Sequence, residues 1–107
     1  MGIKGDKLNQ DATQAAELIT EKLSAIHGIS AKKMFGGYGI FHDKKMFGIV
    51  DSKGQCFFKV NELNQSDFEQ KGSHQHSKMP YFSIPEEVLV DQNELIAWAK
   101  KAIEFNK

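Results

Sequence analysis

A glycine-rich run, Gly36-Gly37-Tyr38-Gly39, is the first group of residues whose types and spacing could do chemistry. Glycines let backbone amides approach an anion closely, which is how phosphate-binding loops work. Such loops lead into a helix, whereas the residues after this run predict a strand. We therefore interpret the run as a tight connection between two strands.

A second group is the pair His74 and His76, which could give a metal ion two nitrogen ligands. A closed zinc site needs four ligands, and no cysteine lies near the pair in the sequence. Carboxylates from Glu62 or Glu69 would have to reach it through folding. We predict solvated histidines in a polar loop, with no metal site and no cofactor.

The single cysteine, Cys56, is flanked by aromatic residues in a predicted strand. A nucleophilic thiolate needs an accessible, electropositive site, so we interpret Cys56 as a small buried hydrophobe. The serines form no Gly-x-Ser-x-Gly turn, and no two carboxylates are paired by their spacing. We therefore predict no catalytic residue and no enzymatic activity. One cysteine also allows no internal disulfide, as expected in a reducing cytoplasm.

Charge composition argues against a strong nucleic-acid binder. Fourteen basic residues balance fourteen acidic ones, and every basic residue is a lysine. Without arginine the chain has no bidentate fork for guanine edges or phosphates. An aromatic cluster could still stack single-stranded bases, although we assign most of its rings to the core of a sheet. Its members are Phe35, Tyr38, Phe41, Phe47, Phe57 and Phe58.

The N-terminal part predicts a helix over residues 8–27, after a flexible segment over residues 1–7. Its apolar residues recur at steps of three and four, as on one helical face. They are Leu8, Ala12, Ala15, Ile19, Leu23 and Ile26. Gly28 occupies the position where a left-handed residue commonly ends a helix.

Short runs rich in β-branched and aromatic residues follow, at 33–35, 38–42, 46–50 and 55–60, and predict antiparallel strands joined by hairpins. Gly39 and Gly48 fall inside these strands. A glycine there indicates a bulge or the close approach of another element, and we expect the first helix to be that element.

In the second half, Asn61 is a candidate cap for a short helix that contains Leu63 and Phe68. A loop over residues 73–78 leads to a strand over 81–84, which its flanking prolines place at a sheet edge. A helical turn over 85–89 precedes the last helix. Asp91 and Glu94 have the spacing of a capping box for it.

These elements predict one α+β domain over residues 1–107: an antiparallel sheet of four to five strands with an N-terminal helix and a C-terminal helix packed on it. No repeat or linker divides the sequence. No apolar stretch approaches the roughly 20 residues that span a bilayer. We expect a cytoplasmic protein that does not bind membranes.

Several of these segments together resemble the N-terminal domain of the TfoX (Sxy) competence regulators. The resemblance is carried by Met-Phe-Gly-Gly-Tyr-Gly-Ile-Phe at 34–41, Lys-Met-Phe-Gly at 45–48, Phe-Lys-Val at 58–60, Met-Pro-Tyr at 79–81, Pro85, and the Leu95, Trp98, Ala99 and Ala102 face. It implies a helix packed on an antiparallel sheet in a bacterial cytosolic protein, and a link to regulation of the genes for DNA uptake. Full-length members carry a second, C-terminal domain.

The leading hypothesis is a non-catalytic regulatory or protein-interaction module. We place its interaction surface on the residues around the glycine-rich run: Lys32, Lys33, Met34, Phe35, Gly36, Gly37 and Tyr38. The alternatives are a small-ligand-binding or enzymatic domain that uses the region from Gly36 to Tyr38, and a weak nucleic-acid binder. We expect the partner to be another protein, a second copy of the chain in a homodimer, or both, because short strands leave a sheet edge unpaired.

Overall fold

An antiparallel sheet of five strands forms the centre of the structure, a computed structural model that describes residues 4–34 and 36–105. The strands are β1 (Ile29–Met34), β2 (Gly37–His42), β3 (Lys45–Val50), β4 (Cys56–Lys59) and β5 (Tyr81–Ser83). They lie side by side in chain order, each antiparallel to the next. The predicted sheet of four to five antiparallel strands is confirmed.

Within the described residues four helices complete the fold: α1 (Lys4–Lys22), α2 (Gln65–Gln70), α3 (Glu86–Leu89) and α4 (Gln92–Phe105). The apolar faces of α1 and α4 join one side of the sheet in a single core, which contains Leu23, Ile40, Phe58 and Leu95. Burial of such residues is the main favourable term in folding. We call this side of the sheet the helix face and the opposite side the open face.

The first helix ends earlier than its periodicity predicts. After Lys22 the chain continues in turns, in which the amide of Ile26 donates to the carbonyl of Leu23 at 2.8 Å. Leu23 and Ile26 are still buried, so apolar spacing could not distinguish this turn from helix. Residues 1–3 of the predicted flexible segment lie outside the described residues, and residues 4–7 belong to α1.

Gly28 has the predicted left-handed conformation, with φ of +87°, but it does not end the helix. Its carbonyl accepts the amide of Asp43, in the turn between β2 and β3, at 2.8 Å. A Cβ built on Gly28 would overlap the Asp43 carboxylate. This glycine is therefore fixed by close contact with a distant turn.

The first strand differs most from the prediction. It runs over residues 29–34 rather than 33–35, and its middle residues are all exposed. Because β1 is the edge strand beside β2, burial imposes no alternation on Ile29, Ser30 and Ala31. A strand of this kind leaves little hydrophobic pattern in the sequence.

The strand β3 contains a bulge at Phe47. Ile40 pairs with Gly48 and Phe41 with Met46, so Phe47 is the extra residue between them. Its ring is buried in the core, 5.8 Å from the ring of Phe58. A Cβ at Gly48 would lie 3.2 Å from the Ile40 Cβ, so the glycine next to the bulge leaves space for Ile40.

The expected contact of the first helix with Gly39 and Gly48 is wrong. The atoms nearest to a Cβ on Gly39 are the Sδ atom of Met46, a ring carbon of Phe41 and the Sδ atom of Met34. All three belong to the sheet itself. Glycine is needed at both positions because neighbouring strands carry large side chains, not because α1 approaches.

The prediction for the short helix is also corrected. The helix α2 begins at Gln65, and Asn61 instead accepts the amide of Leu63 in the preceding turn, at 2.8 Å. The buried side chain of Asn64 accepts the amide of Asn61 at 2.7 Å. Leu63 is exposed, whereas Phe68 packs edge-on against Trp98 of α4.

The last strand and the last helix follow the prediction. The strand β5 lies at the sheet edge, although an isolated bridge from Gln75 to Phe82 covers part of its outer side. At the start of α4, Asp91 Oδ1 accepts the amides of Asn93 and Glu94 at 3.0 and 3.2 Å. These bonds satisfy two of the free amides that begin any helix.

Candidate interaction site

The hairpin of β1 and β2 brings together the residues predicted to form an interaction surface. Met34, the last residue of β1, pairs with Gly37, the first residue of β2, and Gly36 stands in the turn with φ of +76°. Phe35 lies outside the described residues. The glycine-rich run is thus a strand-to-strand connection with no helix after it, as expected.

These residues divide between the two faces of the sheet. Lys33 pairs with Tyr38, whose hydroxyl lies 3.1 Å from Thr13 Oγ1 of α1 and therefore on the helix face. Lys32 pairs with Gly39, and the side chains of Lys32 and Met34 belong to the open face because strand residues alternate. The predicted interaction surface therefore belongs to one hairpin, but its side chains lie on two opposite faces of the sheet.

Gly37 allows two hairpins to approach closely. A Cβ on Gly37 would overlap the carbonyl oxygen of Val50 and lie 3.1 Å from the Cα of Asp51. The Asp51 carboxylate accepts the amides of Lys53 at 3.0 Å and Gln55 at 2.9 Å, which fixes the turn between β3 and β4. The run therefore serves backbone packing, which explains its residue types without a phosphate.

A cavity of about 420 Å³, which we call the methionine cavity, opens beside this hairpin. Two of its methionines meet over Gly39, where a Cβ would be 2.8 Å from the Met46 Sδ and 3.1 Å from the Met34 Sδ. The lining residues are Met34, Tyr38, Met46, Ile49, Val50, Asp51, Ser52, His76 and Met79. Of the predicted surface residues that the structure describes, only Met34 and Tyr38 take part in the wall.

The loop after α2 forms the second wall of the cavity. His76 and Met79 are joined by a turn in which the Met79 amide donates to the His76 carbonyl at 3.0 Å. Gln75 Nε2 donates to the Met79 carbonyl at 2.8 Å. These bonds hold Met79 opposite the strands, where its side chain remains partly exposed.

The prediction of solvated histidines agrees with the exposure of His74 and is corrected for His76, which is half-buried. Their rings stand edge-on against Phe57, with centroid distances of 5.8 Å for His74 and 4.7 Å for His76. The Nδ1 atom of His76 is buried and has no hydrogen-bond partner among the described residues. Phe57 is thus buried on the open face rather than in the main core.

Sequence reasoning missed the other seven residues of the described cavity wall, among them Met46, Ile49, His76 and Met79. Simple alternation puts Met46 and Ile49 on opposite faces, whereas the bulge at Phe47 turns both toward the open face. His76 and Met79 belong to an irregular loop, whose path no periodicity encodes. The methionines themselves were a usable signal, because methionine is common at adaptable binding surfaces.

Cys56 is buried on the helix face and is poorly suited to nucleophilic chemistry. The pKa of its thiol is raised from 9.0 to about 12, mainly because burial desolvates the thiolate and partly because of the nearby Asp51 carboxylate, while Lys22 acts in the opposite direction. Only a vanishing fraction is thiolate at neutral pH, and the thiolate is the reactive form. The interpretation of Cys56 as a small buried hydrophobe is confirmed.

Within residues 4–34 and 36–105, no three His, Cys, Asp or Glu side chains are grouped so that they could hold a metal ion. No helix in that part of the chain is long and apolar enough to cross a membrane. A second recess, of about 530 Å³, lies between α1 and the turn from β3 to β4. It is shallow, and its lining mixes polar side chains of α1, among them Gln14, Glu17 and Glu21, with the apolar Ala15 and Leu18.

A five-stranded antiparallel sheet with helices on one face defines an α+β domain, and the cavity on its open face is lined mainly by apolar side chains. Residues 21–106 match the TfoX N-terminal domain, so the chain belongs to that family. No curated protein sequence matches the chain significantly.

Proposed function

We propose that the chain is a non-catalytic regulatory module of the bacterial cytoplasm that acts by binding another protein. Through this partner it would control the expression of competence genes or of other genes. The observation that carries this proposal is the methionine cavity, an apolar recess on a sheet face that no described helix covers. Apolar recesses of this kind are typical of surfaces that bind other molecules. Membership of the TfoX N-terminal domain family supports the regulatory part of the proposal.

The adjoining edge of the sheet supports a protein as the partner. The outer side of β1 has no neighbouring strand among the described residues, and its middle residues are exposed. Unpaired strand edges form backbone hydrogen bonds with added strands, which only a polypeptide can supply. The cavity and the edge meet at Met34, so one partner could contact both.

The alternative of a small-ligand-binding or enzymatic domain also has an observation in its favour, since the cavity lies beside Tyr38. Its polar groups are poorly placed for catalysis, however. Asp51 Oδ1 already accepts two amides of its own turn, and the His76 Nδ1 is buried. Polar groups that converge on a bound molecule are the mark of an enzyme site. The cavity therefore favours binding over reaction.

Photo-crosslinking in the native cytoplasm tests the proposed function. A benzophenone amino acid replaces exposed Lys32, on the open face, and in a matched control it replaces exposed Lys100 on α4. We expect a discrete adduct at position 32 with a protein other than a second copy of the chain, and this adduct should be absent or much weaker at position 100. Equal labelling at the two positions, or no adduct at either, would contradict an interaction module with this surface.

A further inference from the structure

The wall of the methionine cavity is suited to one bulky apolar group. Three of its side chains are thioethers, and Ile49 adds an aliphatic surface. Thioether side chains are flexible and polarizable, so they adapt to the shape of an inserted group and contact aromatic rings favourably. At about 420 Å³ the cavity is near the lower end of the range for binding pockets, enough for a single large aromatic side chain.

Two exposed lysines adjoin residues of the cavity wall. Lys32 stands two residues before Met34 on the open face, and Lys78 directly precedes Met79 in the loop. Both lysines are exposed, and neither takes part in the ion pairs of the described residues. The acidic residue of the wall, Asp51, uses Oδ1 to accept two amides of its own turn.

We propose that the methionine cavity is the docking site for an acidic segment of a protein partner, in which one aromatic side chain fills the cavity and flanking carboxylates pair with Lys32 and Lys78. This inference rests on the proposed function and specifies the chemical character of the segment that the partner would insert. Complementary charge favours the acidic segment because it speeds encounter and disfavours partners of the wrong sign. The aromatic anchor supplies most of the binding energy, as buried aromatic residues do at other interfaces.

Three short synthetic peptides test the proposal on the full chain. The first places tryptophan between pairs of acidic residues, the second replaces those acids with lysines, and the third keeps the acids but replaces tryptophan with serine. Binding is followed through the ¹³C methyl resonances of Met34, Met46 and Met79 and through its dependence on salt. We expect the first peptide to shift these three methyl groups and to bind at least about tenfold more tightly than either of the others.

Charge reversal gives a matched set of variants. Lys32→Glu combined with Lys78→Glu should weaken binding of the acidic tryptophan peptide about tenfold, because two attractions become repulsions. Lys100→Glu, an equally exposed reversal on α4, should leave it unchanged. An unaltered amide spectrum outside the substituted sites confirms that each variant is folded.

Four results would overturn the inference: equal binding of the lysine peptide, equal binding of the serine peptide, methyl shifts that avoid the cavity, or no loss of binding in the double variant. Vesicles of anionic lipid serve as a further probe, since lysines around an apolar patch could also contact a membrane. Methyl shifts with vesicles but not with the acidic peptide would replace the protein partner with a lipid surface. A discrete crosslink at position 32 without preference for the acidic peptide would leave the proposed function standing and refute this inference alone.

Discussion

At the scale of single residues, two glycines of one strand have different neighbours. A methyl group at Gly37 would meet backbone atoms of Val50 and Asp51, which cannot move without displacing the hairpin. At Gly39 it would meet the ends of Met34 and Met46 and the ring of Phe41, which can rotate. The steric cost of the added methyl group depends on whether the neighbouring atoms can move away.

We therefore predict that Gly37→Ala is much more destabilising than Gly39→Ala. Overpacking against backbone should lower the free energy of unfolding by about 2–3 kcal/mol at position 37 and by less than about 1 kcal/mol at position 39. Urea unfolding of the two variants beside the parent chain measures the difference. Similar losses at both positions would show that the hairpins do not approach as closely as described.

Burial of Cys56 predicts that the free energy of unfolding decreases at alkaline pH. Because the folded-state pKa of about 12 lies above the ordinary value of 9.0, the buried neutral thiol contributes fully below pH 9. That contribution is lost as the pH rises from 9 toward 12, since only the unfolded chain releases the proton readily. Tyr81, whose pKa burial also raises, acts in the same direction above pH 10.

The comparison with Cys56→Ala isolates the effect of the thiol. We expect the urea midpoint of the parent chain to fall more steeply between pH 9 and 11 than that of the variant, in which only Tyr81 and other groups titrate. Parallel curves for the two proteins in this interval would mean that Cys56 is accessible or partnered in its charged form.

At the scale of elements, the cap of α4 is the clearest case in which sequence chemistry predicts structure. Asp91 accepts the amides of Asn93 and Glu94. Its own amide donates to the Val88 carbonyl at 3.2 Å rather than to Glu94, so only one half of the predicted capping box forms. The stabilisation should therefore come from Asp91.

We predict that Asp91→Ala lowers the free energy of unfolding by about 1 kcal/mol, the usual cost of losing a helix cap. Loss of that size corresponds to a fall in Tm of about 4–8 °C in a domain of this length. Asn93→Ala, a substitution of an exposed neighbour whose side chain makes no described bond to the helix amides, is the control. A melting temperature equally lowered by both would contradict the capping role.

The sequence predicts elements well where burial imposes a period and poorly where it does not. Strands β2, β3 and β4 lie inside the sheet, and their predicted bounds agree with the structure within a residue or two. The exposed strand β1 and the turn after Lys22 are misplaced, because one has no buried alternation and the other retains helical apolar spacing. Local composition cannot resolve either case.

The candidate site was predictable only in part for a related reason. The hairpin around Gly36 and Gly37 follows from its residue types, and it does lead to the cavity. The other wall comes from His76 and Met79, far along the chain and placed by a loop. Contacts between such distant segments depend on tertiary packing, which a single sequence does not display.

At the scale of the whole molecule, the free edge of β1 supports the expected two-fold dimer. Two β1 strands pairing antiparallel would extend the sheet across the interface, as in many symmetric assemblies. They would also bring Lys32 and Lys33 of both copies near one another, and like charges repel.

We predict a dimer of about twice 12.1 kDa whose association strengthens with salt, because screening weakens that repulsion. Sedimentation equilibrium at micromolar concentration in about 50 mM and about 500 mM salt, between which the Debye length shortens about threefold, measures both properties. Lys33→Gln should associate more tightly at low salt than the parent chain. A mass that stays near 12.1 kDa at every concentration would refute the dimer.

The bulge at Phe47 changes which residues of β3 share a face of the sheet. On either side of it β3 follows the ordinary two-residue alternation, but the two halves are offset by one position. Met46 and Ile49 therefore share the cavity wall although they stand three apart, while Phe47 and Val50, also three apart, share the core. One extra residue thus lets a single six-residue strand supply one set of side chains to the core and another to the exposed surface, with residues three apart on the same face.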